Sequence, residues 1–342
     1  MDSNGLPHTK TILALRAERY QERFHALFQP LARWFESDYE FLTCLEATFS
    51  HHGEPIDFGN SPDAERYAAA FAPHGDQDPF EDMAAALTRL QQWFPPAFMN
   101  DAPPLPSCPQ FSHLFAGLVS LADWIGSDEE LFPYCGEETR RDCEDPMPFA
   151  RDAARSTLER LALDCAPLRR QPLPAFKALF PFAPNPLQQA VASIPLDDEA
   201  RIVILETETG SGKTEAALYH FARLFFAGKV DGLYLANPLW LAARQIHERC
   251  TEFAEALFPR HGPVPVLAIP GYIQAGSAQG QRLPQFRVLW PADAGQDPKR
   301  FWAAESPKRF LASAMAVGTI DQALLSVIRT RHSHLRAARN LP

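Results

Sequence analysis

Thr207-Glu208-Thr209-Gly210-Ser211-Gly212-Lys213-Thr214 lies between an apolar run, Ile202–Leu205, and a helix-patterned run that begins at Glu215. A strand that ends in a Gly-rich turn and opens a helix is a way of holding phosphates. Backbone N–H groups of the turn and the positive end of the helix dipole converge on the anion. Lys213 adds a point charge, and Thr214 adds a hydroxyl for Mg²⁺. Gly210 and Gly212 allow the backbone to turn and approach closely with no Cβ in the way. The bland alternative, a Gly/Ser turn in front of an ordinary helix, leaves the strand and helix around the motif without a purpose.

Beyond this loop, short apolar runs alternate with helical patterns. Strands are expected at Ile202–Leu205, Leu233–Ala236, Val266–Ile269, Phe286–Trp290 and Met315–Val317, with helices over Glu215–Phe226 and Leu241–Phe258. Such alternation predicts an α/β domain with a mainly parallel sheet and helices on both faces. Upstream the pattern changes. Residues from about Lys10 to Asp164 carry helical apolar stripes such as Leu13, Leu15, Tyr20, Phe24, Leu27 and Phe28, almost without strand-like alternation. Between the halves, Pro167, Pro172, Pro174, Pro181, Pro184 and Pro186 remove N–H donors and fix φ, which ends regular structure. The reading is a helical domain over 1–165, a Pro-rich linker and lead-in segment over 166–186, and the α/β domain over 187–342.

With 342 residues, 46% of them hydrophobic, the chain can build two cores. No run is long and apolar enough to span a bilayer, and Met1–Lys10 has no hydrophobic signal core, so a cytoplasmic protein with no membrane contact is expected. Cys44, Cys108, Cys135, Cys143, Cys165 and Cys250 are scattered without paired spacing, which suggests neither a zinc knuckle nor a disulfide framework. The net charge of −10 argues against a general nucleic-acid coat. Contact with nucleic acid would need a local basic groove.

The helical half has a signature of its own. His51-His52-Gly53 follows a helical run, and Asp123 lies within Leu121-Ala122-Asp123-Trp124-Ile125-Gly126-Ser127. Imidazoles and a carboxylate suit first-row divalent metals. Alone, a His-His pair can equally be a polar surface step, and a helical Asp a cap.

Together these segments resemble a family: the CRISPR-associated helicase-nucleases of type I systems, in which a helical HD phosphohydrolase domain precedes a superfamily 2 helicase. His51-His52-Gly53 looks like the family's double-histidine motif, and Gly117–Ser127 like its Asp-Trp-x-x-Ser segment. Phe182 to Gln188 resembles the segment whose glutamine reads adenine. Glu206–Leu218 resembles the phosphate loop, with Thr207 where a kinase or GTPase would keep glycine. Val317–Leu325, with His332 and Arg336 beyond, resembles the strand-and-helix motif that touches the single strand. By this resemblance the fold is an HD-type domain followed by a RecA-like P-loop domain whose sheet is incomplete.

Residue by residue, the resemblance implies that Thr209–Gly212 donate backbone N–H groups, Lys213 reaches the β/γ-phosphates, and Thr214 holds Mg²⁺. Gln188 would meet the adenine edge, a solvated glutamine at a helix start being the alternative. His51, His52 and Asp123 would be catalytic ligands of a divalent transition metal, with His8 as a further ligand and Ser127 as polar support. Thr319, Asp321 and Gln322 would shape the nucleic-acid face, although Thr319 and Gln322 suit a helix capping box equally well.

Departures accompany the matches. The chain contains no His-Asp dipeptide and no Asp-Glu-x-His box, and Asn237-Pro238-Leu239 stands where the family tends to have Pro-Thr. A two-metal nuclease needs the bridging carboxylate, and hydrolysis needs a placed water and charge stabilisation at the γ-phosphate. The expectation is therefore ATP binding without full catalytic sets. The chain would be part of an ATP-dependent DNA helicase and single-stranded DNA nuclease of antiviral defence. Its partners would be single-stranded DNA, a CRISPR RNA-guided surveillance complex and the remaining parts of the same enzyme. The alternative is a non-catalytic remnant or a nucleotide- or partner-binding module.

Overall fold

The computed structural model describes residues 20–51, 72–99, 101, 103–133, 145–196, 202–259, 262–292 and 297–328. His8, His52, Gly53, His332 and Arg336 lie outside the described residues. The chain divides between Ala150 and Arg151 into two compact units.

The first unit is helical, with α1 at Gln21–Phe28, α2 at Asp38–Phe49, α3 at Pro79–Trp93 and α4 at Pro109–Gly126. Local chemistry sets the starts. Ser37 caps α2 by accepting from Glu40 N, and Asp78 caps α3 by accepting from Phe80 N, ahead of a proline at the first helical position. Asp78 also pairs with Arg23 at 2.7 Å. This guanidinium holds the Asp78 carboxyl below its usual range. Phe24 and Phe80 meet edge to face at 4.7 Å, Tyr20 lies 5.2 Å from Phe80, and these rings join α1 to α3. α2 and α4 are joined where the buried Ser120 hydroxyl donates to the His51 carbonyl at 3.2 Å.

The second unit continues with α5 at Met147–Arg160, whose first turn contains the division, then α6 at Phe176–Leu179, α7 at Pro186–Ala192 and α8 at Lys213–Phe226. There follow β1 at Leu233–Asn237, α9 at Trp240–Leu257, β2 at Val266–Ala268, β3 at Gln274–Ala275 and β4 at Ala278–Gln279. The order closes with β5 at Gln281–Arg282, β6 at Val288–Leu289, β7 at Met315–Thr319 and α10 at Ile320–Leu324. The main sheet has the order β1-β7-β2-β3-β4. β7 runs parallel to both neighbours, with Asn237 opposite Thr319 and Ala268 opposite Gly318, while the β3–β4 hairpin extends the sheet antiparallel. The sheet is mixed around a parallel core.

That core holds Leu218, Phe225, Phe253, Leu257, Leu267, Met315 and Val317. Phe225 meets Phe258 edge to face at 5.3 Å. The Pro-rich passage joins it: Cys165, Phe176, Leu179 and Phe180 are buried there, and Phe180 stacks on Phe253 at 5.7 Å. Cys250 is fully buried, and burial pushes its thiol up to about 12. Among the described residues no helix is long and apolar enough to cross a membrane.

One expected strand is corrected. Ile202–Leu205 forms no strand and pairs with none among the described residues, and Ile202 and Ile204 are 82% and 85% exposed. β-Branched residues favour an extended backbone, but a strand also needs a ladder partner, which no described strand supplies. The run expected over Phe286–Trp290 is likewise reduced to Val288–Leu289, because Pro284–Phe286 forms a 3₁₀ turn before it.

Candidate nucleotide, metal and strand-edge sites

The loop that precedes α8 is shaped by its glycines. Gly210 and Gly212 both have φ of +83°, in the left-handed region that residues with a Cβ rarely adopt. Gly212 meets a second constraint, because a Cβ there would overlap the Gln188 Nε2 atom. α7 approaches the loop at this point through a reciprocal cap. Asn185 Oδ1 accepts from Gln188 N at 3.0 Å, and Gln188 Oε1 accepts from Asn185 N at 2.9 Å. The remaining amide nitrogens reach the loop: Asn185 Nδ2 donates to Ser211 O at 2.9 Å and Gln188 Nε2 to Gly212 O at 3.3 Å. Gln188 is 2% exposed, so it is not a solvated glutamine.

Lys213, the first residue of α8, folds back over the turn. Its Nζ donates to Thr207 O at 2.8 Å and Glu208 O at 2.7 Å. The ammonium thus lies against the mouth of the loop. Ser211 Oγ is buried without a hydrogen-bond partner in the described structure, a donor left over in the turn. Around these atoms is a pocket of about 450 Å³ lined by Phe182, Asn185, Gln188, Lys213, Thr214 and Arg249, among others. Phe182 is an exposed aromatic at its rim. Left-handed glycines, a cation, a spare hydroxyl and Thr214 at the helix start fit a nucleoside triphosphate and its cation.

Arg249 was not singled out from the sequence. It projects from α9, with Nη1 donating to Thr214 Oγ1 at 3.4 Å and Nη2 pairing with Glu215. Only the packing of α9 against α8 brings it there, 35 positions along the chain from Thr214.

In the first unit, His51 follows the end of α2 and Asp123 lies in the last turn of α4. His51 Nδ1 lies 2.6 Å from Thr48 O, and Nε2 lies 3.8 Å from Asp123 Oδ1. Because a carbonyl oxygen can only accept, the contact with Thr48 calls for a proton on Nδ1 and turns Nε2 toward the carboxylate, the ring orientation that a metal ligand requires. Two ligands make one corner of a site. Among the described residues no group of three or more His, Cys, Asp or Glu side chains is placed to hold a metal ion. His8 and His52 are outside them, and Ser127 ends α4 as its C-cap.

At the end of β7, Thr319 occupies the N-cap position of α10, but its side chain makes no capping bond. Its carbonyl accepts from Tyr234 Oη at 2.7 Å. Burial, with the Asp321 carboxylate as a smaller cause, pushes the Tyr234 phenol upward and keeps it protonated. Asp321 is exposed, whereas Gln322 is buried.

The chain is similar to known proteins over most of its length. The family described as Cas3, HD domain, matches residues 2–132. The CRISPR-associated endonuclease/helicase Cas3 of Thermus thermophilus is 31% identical over 300 residues, which cover 84% of this chain and 30% of that protein. The protein of the same name from Escherichia coli is 27% identical over 328 residues, covering 92% and 34%. The crystal structure of T. fusca Cas3-AMPPNP superimposes with a TM-score of 0.56 at 26% identity, over 91% of this chain and 33% of that one. The chain spans about a third of the length of the relatives it matches.

Proposed function

We propose that this chain is part of a Cas3-type CRISPR-associated endonuclease/helicase, and that its second unit is a nucleotide-binding part of an ATP-dependent DNA helicase and nuclease acting in antiviral defence. The loop between Thr207 and Thr214 carries the reading. Lys213 and the backbone of Thr209–Gly212 would hold the phosphates, Thr214 would hold Mg²⁺, and Gln188 would reach the base by turning the amide that now meets Gly212. The bound triphosphate would supply the energy for movement along DNA, and the chain's own residues would bind and orient it.

The first unit would contribute His51 and Asp123 to a divalent transition-metal site, with His8 and His52 as further ligands. The 3.8 Å approach of imidazole to carboxylate and the contact with Thr48 that orients the His51 ring support this assignment. Thr319, Asp321 and Gln322 would shape a surface for single-stranded DNA, and the CRISPR RNA-guided complex would be the assembly in which the protein works.

The test is equilibrium binding of a fluorescent ATP analogue with Mg²⁺ to the purified chain. Wild-type protein should bind it, and Lys213→Ala should weaken binding by roughly tenfold or more. Hydrolysis should stay negligible, since the 342 residues contain no Asp-Glu-x-His box. Equal affinity in the variant would remove the loop from the nucleotide site. Turnover lost on Lys213→Ala would show instead that these residues already form a complete ATPase.

A further inference from the structure

At the end of the parallel core, three successive apolar residues, Leu239, Trp240 and Leu241, are exposed where β1 passes into α9. Trp240 is 50% exposed, and its ring lies 6.3 Å from that of Tyr272 with the planes 26° apart. Tyr272 is a fixed support. Its backbone N–H donates to Ile269 O at 3.1 Å, and its side chain packs partly against the core. Arg244, one helical turn beyond Trp240, places its guanidinium carbon 5.5 Å from the Tyr272 ring centre.

The sheet explains why these groups meet. Trp240 follows β1 and Tyr272 follows β2, and β7 lies between those strands. The registers of Asn237 with Thr319 and Ala268 with Gly318 bring all three strand ends to one edge. The Trp–Tyr pair therefore bridges the end of β7, where Thr319 leads into α10.

We propose that Trp240, backed by Tyr272 and flanked by Arg244, is a stacking platform for an unpaired base of a single-stranded nucleic acid. This rests on the reading of the β7 edge as a nucleic-acid surface and assigns it a base-contacting residue. An aromatic face held by a second ring accepts any base without regard to sequence, and a neighbouring guanidinium draws in the phosphodiester. On a chain of net charge −10 that attraction must be local, and Arg244 supplies it beside the rings. A base within a duplex is already stacked on both faces, which selects the single strand.

The experiment measures fluorescence anisotropy of a labelled oligothymidylate, and of an abasic oligomer of equal length, with the full chain. Trp240→Ala should weaken oligothymidylate binding about tenfold, while Trp240→Phe should stay within about threefold of wild type. The abasic oligomer should bind wild type and Trp240→Ala alike. The platform is overturned if Trp240→Ala binds oligothymidylate as wild type does, or if the Phe and Ala variants are equally weak. It is overturned as well if Trp240→Ala dissociates a dimer in sedimentation without changing oligonucleotide affinity, because the face would then belong to a second copy. If wild-type protein binds neither oligomer, the nucleic-acid reading of the β7 edge fails, and the platform with it.

Discussion

Gly210 and Gly212 look alike in the sequence and differ in the fold. Both have a positive φ, so alanine at either costs about 1–2 kcal/mol of backbone strain. At Gly210 nothing lies within 4 Å of the added carbon, whereas at Gly212 the carbon collides with Gln188. Gly210→Ala should therefore lower stability in urea by about 1–2 kcal/mol, and Gly212→Ala by more, with displacement of α7 from the loop. Equal losses would show that Gln188 does not press on Gly212. The motif made Gly210, Gly212, Lys213 and Thr214 legible, because the loop's chemistry lies within eight consecutive residues. Arg249 was illegible for the opposite reason: nothing local marks an arginine on a helix as the neighbour of Thr214.

Among the elements, α7 is a cap and a clamp at once. Asn185 uses its oxygen to cap α7 and its nitrogen to hold Ser211 O, so two substitutions separate the roles. Asn185→Ala loses both and should cost about 1 kcal/mol for the cap alone. Asn185→Asp keeps a capping oxygen, so it should lie closer to wild type in urea unfolding while still weakening nucleotide binding. Similar nucleotide affinity in Asn185→Asp and wild type would leave only the cap. The helices α8 and α9 and the strands β1, β2 and β7 were legible because each carries its own apolar period. Ile202–Leu205 was not, since the strand pattern in a sequence reports backbone preference and burial but not whether a partner strand lies alongside.

For the whole molecule, the second unit is tied across 137 positions by Arg160 and Asp297, which share two hydrogen bonds of 2.9 and 3.0 Å. Asp297 Oδ1 also accepts from Lys299 N at the start of a 3₁₀ segment. The Arg160 guanidinium is the main cause that holds the Asp297 carboxyl below its usual range. A depressed folded-state value means stability that is present above the unfolded carboxyl's range near pH 4 and is lost as pH falls through the folded value. Asp297→Asn should cost up to about 1 kcal/mol at pH 7, with both side chains about one-third exposed. That deficit should shrink as the pH falls below the unfolded carboxyl's range near pH 4, read from thermal unfolding at several pH values; a deficit independent of pH would remove the ion pair as its cause. In the loop before α8, Lys213 rests on the Thr207 and Glu208 carbonyls in front of two left-handed glycines. A crystal structure of the chain with a non-hydrolysable ATP analogue and Mg²⁺ would show whether this loop holds the nucleotide. Phosphates should lie against the Thr209–Gly212 backbone, with Lys213 Nζ moved from both carbonyls onto a phosphate oxygen; a nucleotide bound elsewhere, with Lys213 still on Thr207 and Glu208, would rule this loop out as the nucleotide site.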